Sequence, residues 1–486
     1  MVVQFQQVWA AYRIEPVLRD INWQWLSDQQ WAILGGNGAG KSALAQLITE
    51  QLHPQRGEVA IDTDIQRNIV HLSFELQRSL IDHDLRYDDS ESRADAFDVG
   101  TTVAQIILQK QAPNERFQQL AEQCGIAHIL DRGIRFVSTG ESRKTLLARA
   151  LLSEPTLLIL DNPFEGLDLP SQQELRTMIN TLLHTPLKVL LLLKQVDEIP
   201  ENVSHVLQLE GGHIIKAGPR QHIIADEAVA APTPATVAEL PPALERHYTI
   251  DQSLPLLALN NVAVSYQQQA ILHDINWQLH WGQHCVISGP NGAGKSTLLS
   301  LICGDNHKAY GQDISLFGQR RGSGESIWDI KEKFGVVSTA AQLNHISRMR
   351  TAEVVASGLQ DTVGLYRDCR GRERDIALQW LAVVGLSDLA RSPFNQLSFG
   401  QQRLVMLARA MVKSPLILIL DEPCIGLDQA HRQHILALVD AIAARGDCHI
   451  LYVSHSAGEL PACINQRLTL VPAATGGYSA QLSTVP

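Results

Sequence analysis

Residues 31–48 read WAILGGNGAGKSALAQLI, and residues 285–302 read CVISGPNGAGKSTLLSLI. Each stretch is a short apolar run, a glycine loop fitting GxxxxGK[ST], and then residues at helical spacing. A strand feeding such a loop into a helix is the context that turns the pattern into a phosphate site. Glycines let backbone N–H groups curl around a phosphate, and the helix that follows adds its positive N-terminal dipole. The first loop is Gly35, Gly36, Asn37, Gly38, Ala39, Gly40, Lys41 and Ser42. The second is Gly289, Pro290, Asn291, Gly292, Ala293, Gly294, Lys295, Ser296 and Thr297. Lys41 and Lys295 are expected to reach the β- and γ-phosphates of a nucleoside triphosphate, and Ser42 and Ser296 to ligate Mg²⁺.

Working outward, the two loops prove to be parts of one duplication. Lys41 and Lys295 lie 254 residues apart, as do VLRDINWQ (17–24) and ILHDINWQ (271–278). Gly140 and Gly400 are separated by 260, as are Asp161 and Asp421. A repeat this long is a duplicated domain and not a solenoid. Between the copies runs IADEAVAAPTPATVAELPPALE (224–245), and residues 221–245 carry no lysine or arginine apart from Arg220 before them. We place a first domain at 1–223, an Ala/Pro-rich linker at 224–255 with a short helical piece at 235–246, and a second domain at 256–486. A flexible chain of the linker's size spans roughly 25–30 Å. Alternating strand and helix patterns in each copy predict an α/β fold.

Composition narrows the function classes. With 51 acidic and 40 basic residues the formal charge is −11, and the pI is near 5.9. A nucleic-acid coat needs a basic surface to release counterions, so that class is disfavoured. No apolar run approaches the ~18–20 residues of a membrane span, and the amino terminus has no basic-then-apolar leader pattern. Seven cysteines without a CxxC pair fit a reducing, cytoplasmic setting and argue against structural zinc.

Downstream motifs carry a family resemblance. LSFGQQR (397–403) precedes LILILDEPCIGLD (416–428); the first copy has VSTGESR (137–143) and LLILDNPFEGLD (157–168). A phosphate loop, an LSxGQ-like signature and an aspartate-ended apolar strand together resemble the ABC ATPase family, over essentially the whole chain outside the linker. The resemblance implies two P-loop domains, each a mixed sheet core with a helical subdomain, packed head to tail. Each nucleotide then lies between one domain's loop and the other's signature. It also implies ATP with Mg²⁺, Asp161 and Asp421 as metal-holding aspartates, Glu422 as the group that polarises the attacking water, and His455 at the γ-phosphate. In the first copy Asn162 stands for the glutamate and Lys194 aligns with His455. Site one thus combines Lys41, Ser42, Asp161, Asn162 and Lys194 with Ser398, Phe399 and Gly400. Site two combines Lys295, Ser296, Asp421, Glu422 and His455 with Ser138, Thr139, Gly140 and Glu141. An amide is no proton acceptor for water, so site two reads as hydrolytic and site one as a clamp.

Tyr12 and Tyr266, each 23 residues before its loop, occupy the family's adenine-stacking position. The family's Q-loop glutamine is out of register: Phe74 and Thr339 stand in its place, with Gln77 and Gln342 three residues late. Cys424 reads as buried filler and the acidic run at 82–95 as a solvated loop. VHLSFELQ, LDNPFEGLD, DEIP and VVASGLQDTVGLYRDCR resemble most the ModF family of molybdate-transport or photorepair ATP-binding proteins. A transporter ATPase working with a separately encoded permease, peripheral on the cytoplasmic face of the inner membrane, is the leading expectation. Paired domains within one chain suggest a monomer or weak dimer. The alternative is a soluble twin-ABC regulator acting on ribosomes or nucleic acid, which Asn162 and a linker without a basic residue from 221 to 245 disfavour.

Overall fold

A strand that is apolar at every position must be covered on both faces, and Trp31–Leu34 is buried at all four residues. The computed structural model describes residues 1–12, 16–73, 100–229, 238–248, 250–266, 269–345, 348–362, 364–365, 371–454, 460–474 and 476–485. The chain divides into two units, Met1–Pro232 and Thr233–Pro486.

In the first unit, six strands run in the order Ile69–Leu72, Leu157–Asp161, Lys188–Leu193, Trp31–Leu34, His205–Glu210 and His213–Pro219. All pair in parallel except the last. Side chains alternate between faces along a strand, so Leu157, Ile159, Leu190 and Leu192 join the core beneath the phosphate-loop helix Lys41–Ile48. Leu158, Leu160, Val189 and Leu191 join the opposite core, against helix Leu169–Leu183. A three-stranded antiparallel sheet (Pro16–Trp25, Val3–Ala11, Arg56–Ile61) completes the first layer. Helices Val103–Leu108, Glu115–Gln123 and Thr139–Leu152 share a satellite core and form the helical subdomain.

The second unit repeats this plan with one difference. Its antiparallel and parallel strands form one ten-stranded sheet, because Leu272 of Gln269–Leu279 pairs with Tyr478 of Tyr478–Thr484. The parallel part runs Gln466–Pro472, Cys285–Ser288, His449–Val453, Ile417–Asp421 and Phe334–Val337. Helices Thr351–Ser357, Arg372–Val383 and Phe399–Met411 make the helical subdomain around the buried Trp380 and Phe394. No helix among the described residues is long and apolar enough to cross a membrane.

Helix Arg220–Val229 ends the first unit, but the short helical piece expected at 235–246 is not found over 238–246. Pro241 and Pro242 lack the N–H groups a helix interior needs. That stretch is instead a strap on the second unit. Leu240 and Leu244 pack against its core. Leu244 N donates to Ser414 Oγ at 2.9 Å, Arg445 Nη1 to Pro241 O at 2.9 Å, and Arg246 Nη2 to Asp447 O at 2.6 Å. Because Leu244 is half-buried, Leu244→Ala should cost about 1–2 kcal/mol, below the ~2–5 kcal/mol of a fully buried leucine. Calorimetry should show the second unit's transition falling by about 2–6 °C with the first unit's unmoved. An unchanged second transition would show that the strap contributes nothing to stability.

Candidate nucleotide sites

Both loops sit at the carboxyl end of a central parallel strand, where α/β sheets bind their ligands. Each turns into its helix through a glycine at positive φ, 105° at Gly40 and 89° at Gly294, a conformation costly for other residues. Lys41 Nζ folds back to donate to Gly35 O at 2.5 Å and Gly36 O at 2.9 Å. Lys295 Nζ does the same to Gly289 O and Pro290 O, both at 2.9 Å. Burial pushes Lys41 down to about 8; Asp161 opposes the shift, while the Lys194 charge adds to it. A buried ammonium held by loop carbonyls is primed for an anion.

The aspartate strand ends beside the loop. Ser42 Oγ donates to Asp161 Oδ2 at 3.0 Å, so the hydroxyl and carboxylate expected to hold Mg²⁺ converge in the first unit. Asn162 Nδ2 donates to the other oxygen, Asp161 Oδ1, at 2.8 Å. Asn162 and Glu422 occupy the same backbone corner. Their φ angles are 49° and 50°, and their N–H groups donate to Leu192 O at 2.9 Å and Val453 O at 3.1 Å. Asparagine tolerates this left-handed region far better than glutamate, for which it is strain of order 1 kcal/mol. Strain of that kind concentrates at functional sites.

Each signature begins a helix. Ser138 Oγ accepts from Glu141 N at 3.2 Å while Glu141 Oε2 accepts from Ser138 N at 2.7 Å. Ser398 and Gln401 form the same box at 3.3 and 2.9 Å. The departure at Glu141 therefore keeps the cap and adds a charge. Partial burial works against that charge, but the Ser138 hydrogen bonds hold the carboxyl below the usual range. Signature glycines are needed for close approach: a Cβ on Gly140 would meet Ser171 Oγ at 2.8 Å, and one on Gly400 the His431 ring at 2.8 Å.

Other expected residues are placed as follows. Lys194 follows strand Lys188–Leu193, and its ammonium pairs with Glu165 at 2.8 Å. Gln342 is fully buried and donates to Phe399 O at 3.2 Å and Gln402 Oε1 at 3.3 Å, tying its segment to the second signature. Tyr12 and Tyr266 are exposed at the ends of their strands. Tyr266 Oη accepts from Asn306 Nδ2 at 2.8 Å, with Lys308 over its ring. Cys424 is buried, its Sγ 3.3 Å from Tyr452 Oη. His455, Gln77 and the acidic run at 82–95 lie outside the described residues. Reading the sequence missed Arg143, which donates to the carbonyls of Asn162, Pro163 and Glu165 at 2.7, 2.6 and 2.5 Å. It also missed His71, 3.9 Å from Asp161. Arg143 had a signal available, since Arg403 stands 260 residues on, at the spacing of the other repeated motifs.

The ABC transporter family profile matches residues 18–165 and 272–425. The ABC transporter ATP-binding protein ModF of Escherichia coli is 41% identical over 449 residues, covering 91% of each chain. An uncharacterized ABC transporter ATP-binding protein of Schizosaccharomyces pombe is 27% identical over 471 residues, 93% of this chain and 94% of the other. Among solved structures, the archaeal ribosome recycling factor aABCE1, in complex with the ribosomal stalk protein aP1, aligns with a TM-score of 0.59 at 17% identity. That alignment covers 98% of this chain and 89% of the other, and it speaks to fold alone. With family matches in both halves and a 41% identical relative aligned over nearly the full length, the chain belongs to the ABC transporter ATP-binding proteins, as a tandem of two nucleotide-binding domains.

Proposed function

We propose that this chain binds ATP with Mg²⁺ at both phosphate loops and hydrolyses it at the second unit's loop. The observation that carries the reading is the shared backbone corner at Asn162 and Glu422. One copy presents an amide there and the other a carboxylate, and the carboxylate alone can take a proton from an attacking water. In the first copy the amide is bonded to Asp161 and Lys194 to Glu165, an arrangement suited to retaining a nucleotide. The loop lysines and N–H groups would hold the β- and γ-phosphates. Ser42 with Asp161, and Ser296 with Asp421, would hold the magnesium. The metal supplies charge neutralisation at the phosphates. The signature residues Ser138, Gly140, Ser398 and Gly400 complete the proposal as nucleotide contacts. His455 supplies the γ-phosphate contact of site two, and Tyr12 and Tyr266 stack on adenine.

The physiological role that fits is the ATPase of a transporter with a separately encoded permease, at the cytoplasmic face of the inner membrane. The resemblance to ModF makes molybdate-related transport the substrate class to test first. Recovery with solubilised membranes supports this role; co-sedimentation with ribosomes instead would replace it.

Glu422→Gln should lower steady-state turnover by at least ~10²-fold, as expected for a lost general base, while ATP binding persists. Turnover within threefold of wild type would remove Glu422 from the chemistry.

The buried lysine of the first loop gives a pH signature. Below about 8 Lys41 is charged, and above it the free protein loses that charge. A triphosphate favours the ammonium, so binding at this loop must take up protons as pH rises through 8, and affinity must fall in the same direction. In a Lys295→Ala background, calorimetry of MgATP binding in buffers of different ionisation enthalpy should register about half a proton taken up at pH 8 and almost none at pH 6.5. No uptake at pH 8 would mean that Lys41 does not meet the phosphates.

A further inference from the structure

The duplication gives one arginine two different sets of partners. Arg143 and Arg403 stand at the same point of the two signature helices, 260 residues apart. Arg143 holds the turn after the aspartate strand through three carbonyl oxygens, those of Asn162, Pro163 and Glu165. The corresponding turn of the second unit, residues 422–425, has the same backbone shape. Glu165 N donates to Asn162 O at 3.3 Å, and Ile425 N to Glu422 O at 3.3 Å; Leu167 N donates to Phe164 O at 3.3 Å, and Leu427 N to Cys424 O at 3.2 Å. The turn that Arg143 grips in one copy is thus preformed in the other.

Arg403 does not grip it. Its Nη2 donates to Thr339 Oγ1 at 2.9 Å, and its guanidinium lies over the Phe399 ring at 5.5 Å. The residue is wholly buried, and Nε and Nη1 have no acceptor among the described residues. Buried N–H groups of a cation left unbonded are costly. Burial lowers the Arg403 pKa to about 10, with Cys424, Asp421 and Glu422 acting against the shift. Residue types explain the choice of side. In the first copy the register of Thr339 falls on Phe74, which has no acceptor, and that of Phe399 falls on Thr139. At these two positions the second copy offers Arg403 a hydroxyl, Thr339, and an aromatic face, Phe399.

We propose that Arg403 is a two-position positioning residue for hydrolysis: it exchanges between Thr339 and the carbonyls of the 422–425 turn, and the turn-bound position steadies Glu422 for attack. The inference rests on the reading of Glu422 as the catalytic base. Thr339 stands where the family keeps its coupling glutamine, so the exchange links that position to the carboxylate. In the first copy, with Asn162 in place of the base, the same arginine is bonded to the turn through three carbonyls.

The test uses the full chain, measuring steady-state ATP turnover and the ATP KM. Thr339→Val removes the competing acceptor without changing shape, and Arg403→Gln removes the clamp. One net hydrogen bond shifts a two-position equilibrium by ~2–10-fold. Thr339→Val should therefore raise kcat by at least about twofold, and Arg403→Gln should lower it by ~10-fold, each with the ATP KM within about twofold of wild type. Thr339→Val in a Glu422→Gln background should stay silent. A merely structural hydrogen bond would give losses of the same sign from both partners. Both variants lowering kcat, Thr339→Val leaving it unchanged, or KM moving with kcat each overturns the proposal. If Arg403→Gln does not fold, the sign of Thr339→Val decides alone. Failure of the base assignment is separable, because it would appear as persistent turnover in Glu422→Gln itself.

Discussion

A lysine ammonium taken out of water at the mouth of a parallel sheet is the constraint around which each unit is arranged. It is tolerable only while hydrogen-bonded, and the loop's own carbonyls serve: Gly35 and Gly36 for Lys41, Gly289 and Pro290 for Lys295. Those bonds keep the loop wound, and the wound loop requires glycine at Gly40 and Gly294. The loop in turn needs a rigid base, which the buried strands Trp31–Leu34 and Cys285–Ser288 provide from the middle of their sheets. The neighbouring strand then delivers Asp161 to Ser42.

From this common frame the two copies diverge through hydrogen bonding more than through fold. In the first copy Asn162 donates to Asp161, Lys194 pairs with Glu165, and Arg143 donates to the turn, with Arg143 Nε and Asn162 Oδ1 left over among the described residues. In the second copy the equivalent Arg403 donates one hydrogen bond, to Thr339, in place of the three Arg143 makes to the turn. Both signature serines accept the N–H of the third helical residue, which leaves the hydroxyl proton free to donate away from the helix.

The parts of the fold governed by period and by glycine were legible in the sequence. Full burial of the short strands, the strand–loop–helix passage at Gly35 and Gly289 and the duplication could all be read from residue type and spacing. The residues that belong to the ABC resemblance were also readable, down to Asn162 opposite Glu422. What escaped depends on contacts between segments far apart in the chain. The strap over 238–248 has a composition that reads as a spacer, and two prolines rule out the helix its alanines suggested; only Ser414, Arg445 and Asp447, some 200 residues on, show what holds it. Arg143 and Arg403 are one residue type with two hydrogen-bonding patterns, and no local sequence rule distinguishes them. The left-handed backbone at Glu422 was invisible because glutamate gives no signal for it.

That corner also bears on how a duplicated ATPase ages. A glutamate at φ 50° is held there against its own preference, so replacement by asparagine relieves backbone strain even as it removes the carboxylate. On the proposed reading, in which the carboxylate at this corner serves hydrolysis, folding stability favours asparagine there and selection for hydrolysis acts against it. The difference in residue between the halves is thus also a difference in backbone strain at one shared corner.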